Sequence, residues 1–166
     1  MKKLLLLLLI PIISHSQISY KDVMSINSEK MFKKVVIENG YEFGETNEDN
    51  LWYGFDIVRD SIEGNKSSKW GYYNIKDDRF TFSFSRNNQI NTFLNLKEDR
   101  SENEYDLIVK EIKKNCKYFD ITTYTNEDEE EFDYVCYSCS ESKYKGKIGF
   151  MISEGWGYIK HFVNIE

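Results

Sequence analysis

Apolar residues recur along this chain at two spacings, and the switch between them outlines its elements. Met31, Phe32, Val35, Val36 and Asn39 fall on one stripe at steps of three and four, which predicts an amphipathic helix. Asn27 is placed to cap it, Ile26 and Met31 to staple its entry, and Gly40 to end it in the left-handed conformation. Tyr105, Ile108, Ile112 and Cys116 predict a second helix, with Ser101 and Glu104 at capping-box spacing. Elsewhere the period is two. Phe80, Phe82 and Phe84 alternate with Thr81, Ser83 and Ser85, the pattern of a half-buried strand. Phe132, Tyr134 and Cys136 alternate in the same way. Ile148, Phe150 and Ile152 lead through Glu154-Gly155 into Trp156, Tyr158, Lys160 and Phe162, which predicts a hairpin turning at 153–155. Polar connectors lie at 76–78, 86–89 and 97–101.

The order of these features occurs twice. TNED stands at 46–49 and again at 125–128. Lys34–Phe43 (KVVIENGYEF) corresponds to Lys110–Phe119 (KEIKKNCKYF), and Ser68-Lys69-Trp70 to Ser142-Lys143-Tyr144. Repeats of this kind are the sequence sign of duplicated structural units. The expected fold class is α+β: two similar halves, each one helix followed by about four antiparallel strands, with the helix packed on one sheet face. The halves are residues 17–100 and 101–166, sharing one compact domain. This architecture is similar to that of β-lactamase inhibitor proteins, which carry tandem helix-plus-four-strand units. The resemblance is one of element order and transfers no residues.

The first sixteen residues, MKKLLLLLLIPIISHS, have a basic head, an apolar run and a small-x-small end at Ser14 and Ser16. That is the layout of a cleaved signal peptide, and the apolar run is shorter than a bilayer span of ~20 residues. The expectation is an exported protein, periplasmic or secreted, that begins at Gln17 and does not insert into the membrane after cleavage. Losing Lys2 and Lys3 from 22 basic residues, against 28 acidic ones, moves the net charge from −6 to −8. So acidic a chain, with no basic cluster, repels phosphate backbones, so nucleic acid is not an expected partner.

In an oxidising compartment the three cysteines can form one disulfide. Cys116 continues a helical stripe, and Cys136 shares parity with Phe132 and Tyr134, so Cys116–Cys136 is the expected bridge, with Cys116–Cys139 second. The CxxC spacing of Cys136 and Cys139 lies in a strand-like run, without the helix N-terminus that activates a redox thiol. His161 is the one histidine left after cleavage. It is expected at an edge or facing solvent, with nothing beside it to complete a triad. No GxSxG, HExxH, P-loop or GxGxxG pattern occurs. The acidic run from Glu127 to Glu131 lacks the spacing of a calcium loop and reads as a solvated turn. No metal, cofactor or catalytic residue is expected.

Aromatic residues form 16% of the chain. Trp52, Trp70 and Trp156 are candidate anchors, because Trp and Tyr dominate binding hot spots. Trp70 precedes Gly71, and Trp156 lies between Gly155 and Gly157, spacing that leaves a ring approachable. Trp70, Trp156 and Tyr158 are therefore the expected binding residues. The function expected is a non-catalytic, exported interaction module for a protein partner, such as an inhibitor or envelope accessory factor. Its rivals are glycan binding through the same rings and, behind that, a small hydrolase using carboxylates alone.

Overall fold

The computed structural model describes residues 17–47, 49–62, 64–86, 103–126 and 128–163. The leader-like segment, Ser101 and the connector at 97–101 lie outside them. The chain runs through α1 (Tyr20–Ser25), α2 (Glu29–Glu38), β1 (Tyr41–Asn47), β2 (Asn50–Phe55), β3 (Val58–Asp60), β4 (Gly64–Lys66), β5 (Lys69–Asn74) and β6 (Arg79–Ser85). It continues through α3 (Glu104–Asn115), β7 (Lys117–Thr125), β8 (Glu131–Ser138), β9 (Lys147–Ser153) and β10 (Trp156–Phe162). Among the described residues no helix is long and apolar enough to cross a membrane.

Eight strands form one sheet in the order β1-β2-β5-β6-β10-β9-β8-β7, with each neighbouring pair antiparallel. The short β3–β4 hairpin stands apart as an insertion between β2 and β5. Strand alternation sorts the side chains onto two faces. One row of directly opposed residues crosses all eight strands: Phe43, Tyr53, Gly71, Phe82, Ile159, Phe150, Val135 and Ile121. This face receives the helices. Phe32 of α2 meets Tyr53, Tyr73 and Phe82 at ring-centroid distances of 6.0, 5.4 and 5.7 Å. Glycine makes the approach possible, since a Cβ at Gly71 would stand 3.3 Å from the Phe32 ring and 2.9 Å from that of Phe82. Gly157 admits Tyr105 of α3 in the same way, at 2.6 Å.

The helix caps shift by one or two residues from the sequence expectation. Ser28, not Asn27, caps α2: its hydroxyl accepts the Met31 N–H at 3.3 Å and donates to the Asn27 amide oxygen. Asn103 caps α3, accepting the Asp106 N–H at 3.0 Å, so Glu104 becomes the first helical residue. Freed from the capping role, Glu104 is buried, takes the Ile18 backbone N–H and pairs with Lys69 at 2.5 Å. It ties the N-terminal segment, β5 and α3 together. Gly40 ends α2 at φ 75° as expected for a left-handed stop. The sequence pattern did not reveal α1, because six residues are too few to display a helical period.

Two expectations are corrected. The disulfide joins Cys116 to Cys139, not to Cys136. Lys117 pairs with Ser138 at the start of the β7–β8 ladder, so the residues just outside that pair are 116 and 139, and their Cα atoms are 4.5 Å apart. Cys136 instead opposes Asp120 beside a bulge and lies on the helix-free face, buried with a free thiol beside Thr122. Its parity with Tyr134 is real, but that face is not the one α3 covers. His161 is not at an exposed edge: it is fully buried. It shares parity with Ile159, so its ring points to the helix side and lies 4.0 Å from Tyr144 and 5.6 Å from Phe80, centroid to centroid.

Candidate functional site

Because the helices cover one sheet face, the residues of opposite parity form a second face, free of helices among the described residues. All three tryptophans project there. Leu51 and Tyr53 belong to the core, so Trp52 between them faces away. Gly71 and Tyr73 put Trp70 and Tyr72 on the same side, and Ile159 does so for Trp156, Tyr158, Lys160 and Phe162. The tryptophans are half-buried. Trp52 stacks on Tyr72 at 4.7 Å with an interplanar angle of 29°, and meets Trp70 edge-on at 6.2 Å. Trp70 lies over Gly44 and Gly54, where a Cβ would fall 3.2 and 2.8 Å from its ring. The far side of this face carries a small core of Tyr134, Cys136 and Phe162, with Tyr124, Phe132, Met151 and Tyr158 packed on it.

Trp70, Trp156 and Tyr158, the residues singled out by sequence, thus lie on one face. Trp70 opposes Ser83 and Ser83 opposes Tyr158, so one strand separates the two rings, a backbone distance of about 10 Å. Trp156 is two residues from Tyr158 on the same strand and opposes Ser85. The small serines of β6 leave a shallow floor between these aromatics.

Further along the face is a cleft of ≈ 280 Å³ that the sequence reading did not identify. Trp52, Tyr72, Arg79, Tyr124 and Lys160 line it, with the amides of Asn50, Asn74 and Asn126 at its margin. Lys160 on β10 opposes Thr81 of β6 and Gly149 of β9, in the middle of the sheet. Only 5% of it is exposed. Its ammonium stands 3.9 Å from the centroid of the Tyr124 ring and 5.9 Å from that of Tyr72. Burial, reinforced by the Arg79 charge, pulls its pKa from 10.5 down to about 8. At pH 7 the amine is still protonated, so the fold carries a charged group in a poorly solvated place at a cost of ~3 kcal/mol relative to the unfolded chain. Burial also pushes the Tyr72 hydroxyl up to about 12, keeping it a neutral donor or acceptor.

Other shielded cations are treated differently. Lys69 has Glu104 at 2.5 Å, Lys147 has Asp120 at 2.7 Å, and Arg86 has Asp106 at 3.2 Å. Among the described residues, no carboxylate pairs with Lys160 or Arg79. The Arg79 Nε is buried without a hydrogen-bond partner. One signal for Lys160 was present in the chain: it is in phase with Tyr158 and Phe162, so parity alone put a lysine among aromatics. What parity could not show is that Tyr124, from the opposite edge strand, reaches it.

The remaining candidates take structural places. Asp128 to Glu131 are exposed, and the Asn126 side chain closes their turn by accepting the N–H groups of Asp128 and Glu130 at 3.0 and 2.8 Å. Among the described residues no cluster of His, Cys, Asp and Glu is arranged to hold a metal ion. Burial pushes the Cys136 thiol up, which makes it unreactive. Comparison of the chain with protein-family models, with curated proteins and with solved structures found no match.

Proposed function

We propose that this chain is an exported, non-catalytic binding module that takes a protein partner on the helix-free face of its sheet. The observation that carries the reading is the gathering of Trp52, Trp70 and Trp156 with Tyr72, Tyr124, Tyr158, Met151 and Arg79 on the face that, among the described residues, no helix covers. Aromatic residues, Met and Arg are the types enriched where proteins meet. The face spans both halves of the sheet, a breadth suited to a macromolecular surface. Export rests on the leader-like residues 1–16. The test is capture with the purified protein as bait, using culture-medium, envelope and cytosolic fractions as prey and a glycan array beside them. The expected result is one saturable partner from the medium or envelope, retained by the wild type and lost on Trp70→Ala or Trp156→Ala. A partner confined to the cytosolic fraction overturns export. Glycan binding without a protein partner transfers the face to the carbohydrate reading.

We further infer that the two halves are a structural duplication. Three matches support it beyond the sequence echoes. The element order α2-β1-β2-β5-β6 returns as α3-β7-β8-β9-β10. Each first strand carries a bulge near its start, between Phe43 and Glu45 in one case and Tyr118 and Asp120 in the other. The Ser67 hydroxyl accepts the Lys69 N–H and contacts the Lys69 carbonyl, and Ser142 does the same with Tyr144, both just ahead of the third strand of the unit. A crystal structure in which residues 41–85 and 117–162 fail to superpose strand for strand, with their helices on one side, would refute the duplication.

A further inference from the structure

The helix-free face contains a charge arrangement that aromatic binding alone does not account for. Two cations, Lys160 on β10 and Arg79 on the neighbouring β6, line one cleft. Lys160 is nearly fully buried, and its ammonium lies between the rings of Tyr72 and Tyr124. A buried cation is ordinarily held by a carboxylate of its own protein. Lys69 and Lys147 follow that rule, whereas among the described residues neither Lys160 nor Arg79 has a carboxylate within salt-bridge distance. The Arg79 charge also raises the cost of charging Lys160. Asp77 and Asp128 line the cleft as well, and Asp77 offsets the charge on Lys160 only at longer range. An anion entering the cleft would relieve both the repulsion and the desolvation of Lys160.

We infer that the cleft between Lys160 and Arg79 binds a carboxylate, the side chain of an aspartate or glutamate on the protein partner. This inference rests on the reading of the face as a protein-binding surface. A guanidinium and an ammonium lining one cleft can give the two oxygens of one carboxylate a charged donor each. The stacked Trp52 and Tyr72 rings form an apolar wall for the methylenes that carry the acid. Charge selects the ligand further. The two aspartates and the net charge of −6 oppose a dianion such as phosphate more strongly than a monoanion. Carboxylate insertion would also anchor a partner that the otherwise acidic surface repels.

The test reads the cleft directly. The purified protein, labelled with ¹³C at lysine Cε, is titrated with the tripeptide acetyl-Gly-Glu-Gly-amide, with its Gln counterpart, with D-glucuronate and with inorganic phosphate. The expected result is saturable movement of the Lys160 Cε signal with the Glu peptide and at least tenfold weaker binding of the Gln peptide. Lys160→Met and Arg79→Gln should each weaken the Glu peptide at least tenfold, and Lys160→Arg should restore part of it. Circular dichroism and thermal unfolding verify that each variant folds, and Lys160→Met is expected to melt higher than wild type because a buried charge is gone. Equal binding of the Glu and Gln peptides overturns the proposal. Saturation by glucuronate or phosphate with no response to the Glu peptide overturns the peptide source, and silence from all four probes overturns the anion site. A captured partner that Trp70→Ala releases but Lys160→Met retains would sink the carboxylate site and leave the protein-binding face standing. A Glu-peptide response without any captured protein would have the opposite meaning.

Discussion

Phe82→Asp is expected to leave no cooperatively folding protein. Phe82 is fully buried on β6, one of the two central strands, and opposes Ile159 of β10 and Gly71 of β5. Its ring meets Phe32, Phe80 and Phe84 at 5.7, 5.6 and 6.3 Å. Removing a core phenylalanine costs about 3–5 kcal/mol. A carboxylate in its place is either desolvated without a partner or protonated, adding several kcal/mol more. Together these consume most of a typical domain stability of about 5–15 kcal/mol. The position matters as much as the residue, because among the described residues β6 and β10 are the only strand pair joining residues 41–85 of the sheet to residues 117–162. Phe82→Leu is the companion variant: it keeps an apolar side chain and should fold with a loss of about 1–2 kcal/mol. Urea unfolding followed by circular dichroism checks both. A Phe82→Asp protein with a wild-type transition would mean that the helix-covered face has been assigned the wrong way round.

Acid is expected to destabilise the protein between pH 6.5 and 4 through one residue. His161 is fully buried, and neither imidazole nitrogen has a hydrogen-bonding partner of good geometry. Burial, together with the Arg79 charge, lowers its pKa from 6.5 to about 4. Above pH 6.5 the ring is neutral folded or unfolded, and contributes no pH dependence. Below 6.5 the unfolded chain takes up a proton that the folded protein refuses, so stability falls by ~1.4 kcal/mol per pH unit. The loss reaches ~3 kcal/mol near pH 4 and then levels off as the folded state also titrates. The shift on Lys160 acts in a separate window, between pH 10.5 and 8. Urea midpoints measured at half-unit steps from pH 7.5 to 4 should decline steadily in the wild type. They should stay nearly flat down to about pH 5 in His161→Leu, whose side chain is close in volume and cannot ionise. A wild-type decline unchanged in His161→Leu would show that another group is responsible.

The two helices beneath the core and the hairpin at 153–155 were legible in the sequence because each depends on local spacing. A stripe at three and four residues or an alternation of two is written along a single segment, and the burial of Phe80, Phe82 and Phe84 follows it. The same alternation grouped Trp156 with Tyr158, Lys160 and Phe162, but did not mark Lys160 as part of a site. His161 was expected at an edge or facing solvent because nothing beside it completes a triad; its parity with Ile159 instead turns it inward, where it packs against Phe80 and Tyr144.

The alternation of helix and strand, and which residues of each strand share a side, are written in local pattern, because both follow from backbone geometry within a few residues. The rest depends on long-range pairing. Strand order brought β6 against β10, register set Cys116 opposite Cys139, and the sheet carried Tyr124 from an edge strand to the ammonium of Lys160. These are meetings between segments far apart in the chain, fixed by how the whole sheet pairs and curves, and no single segment's pattern contains them.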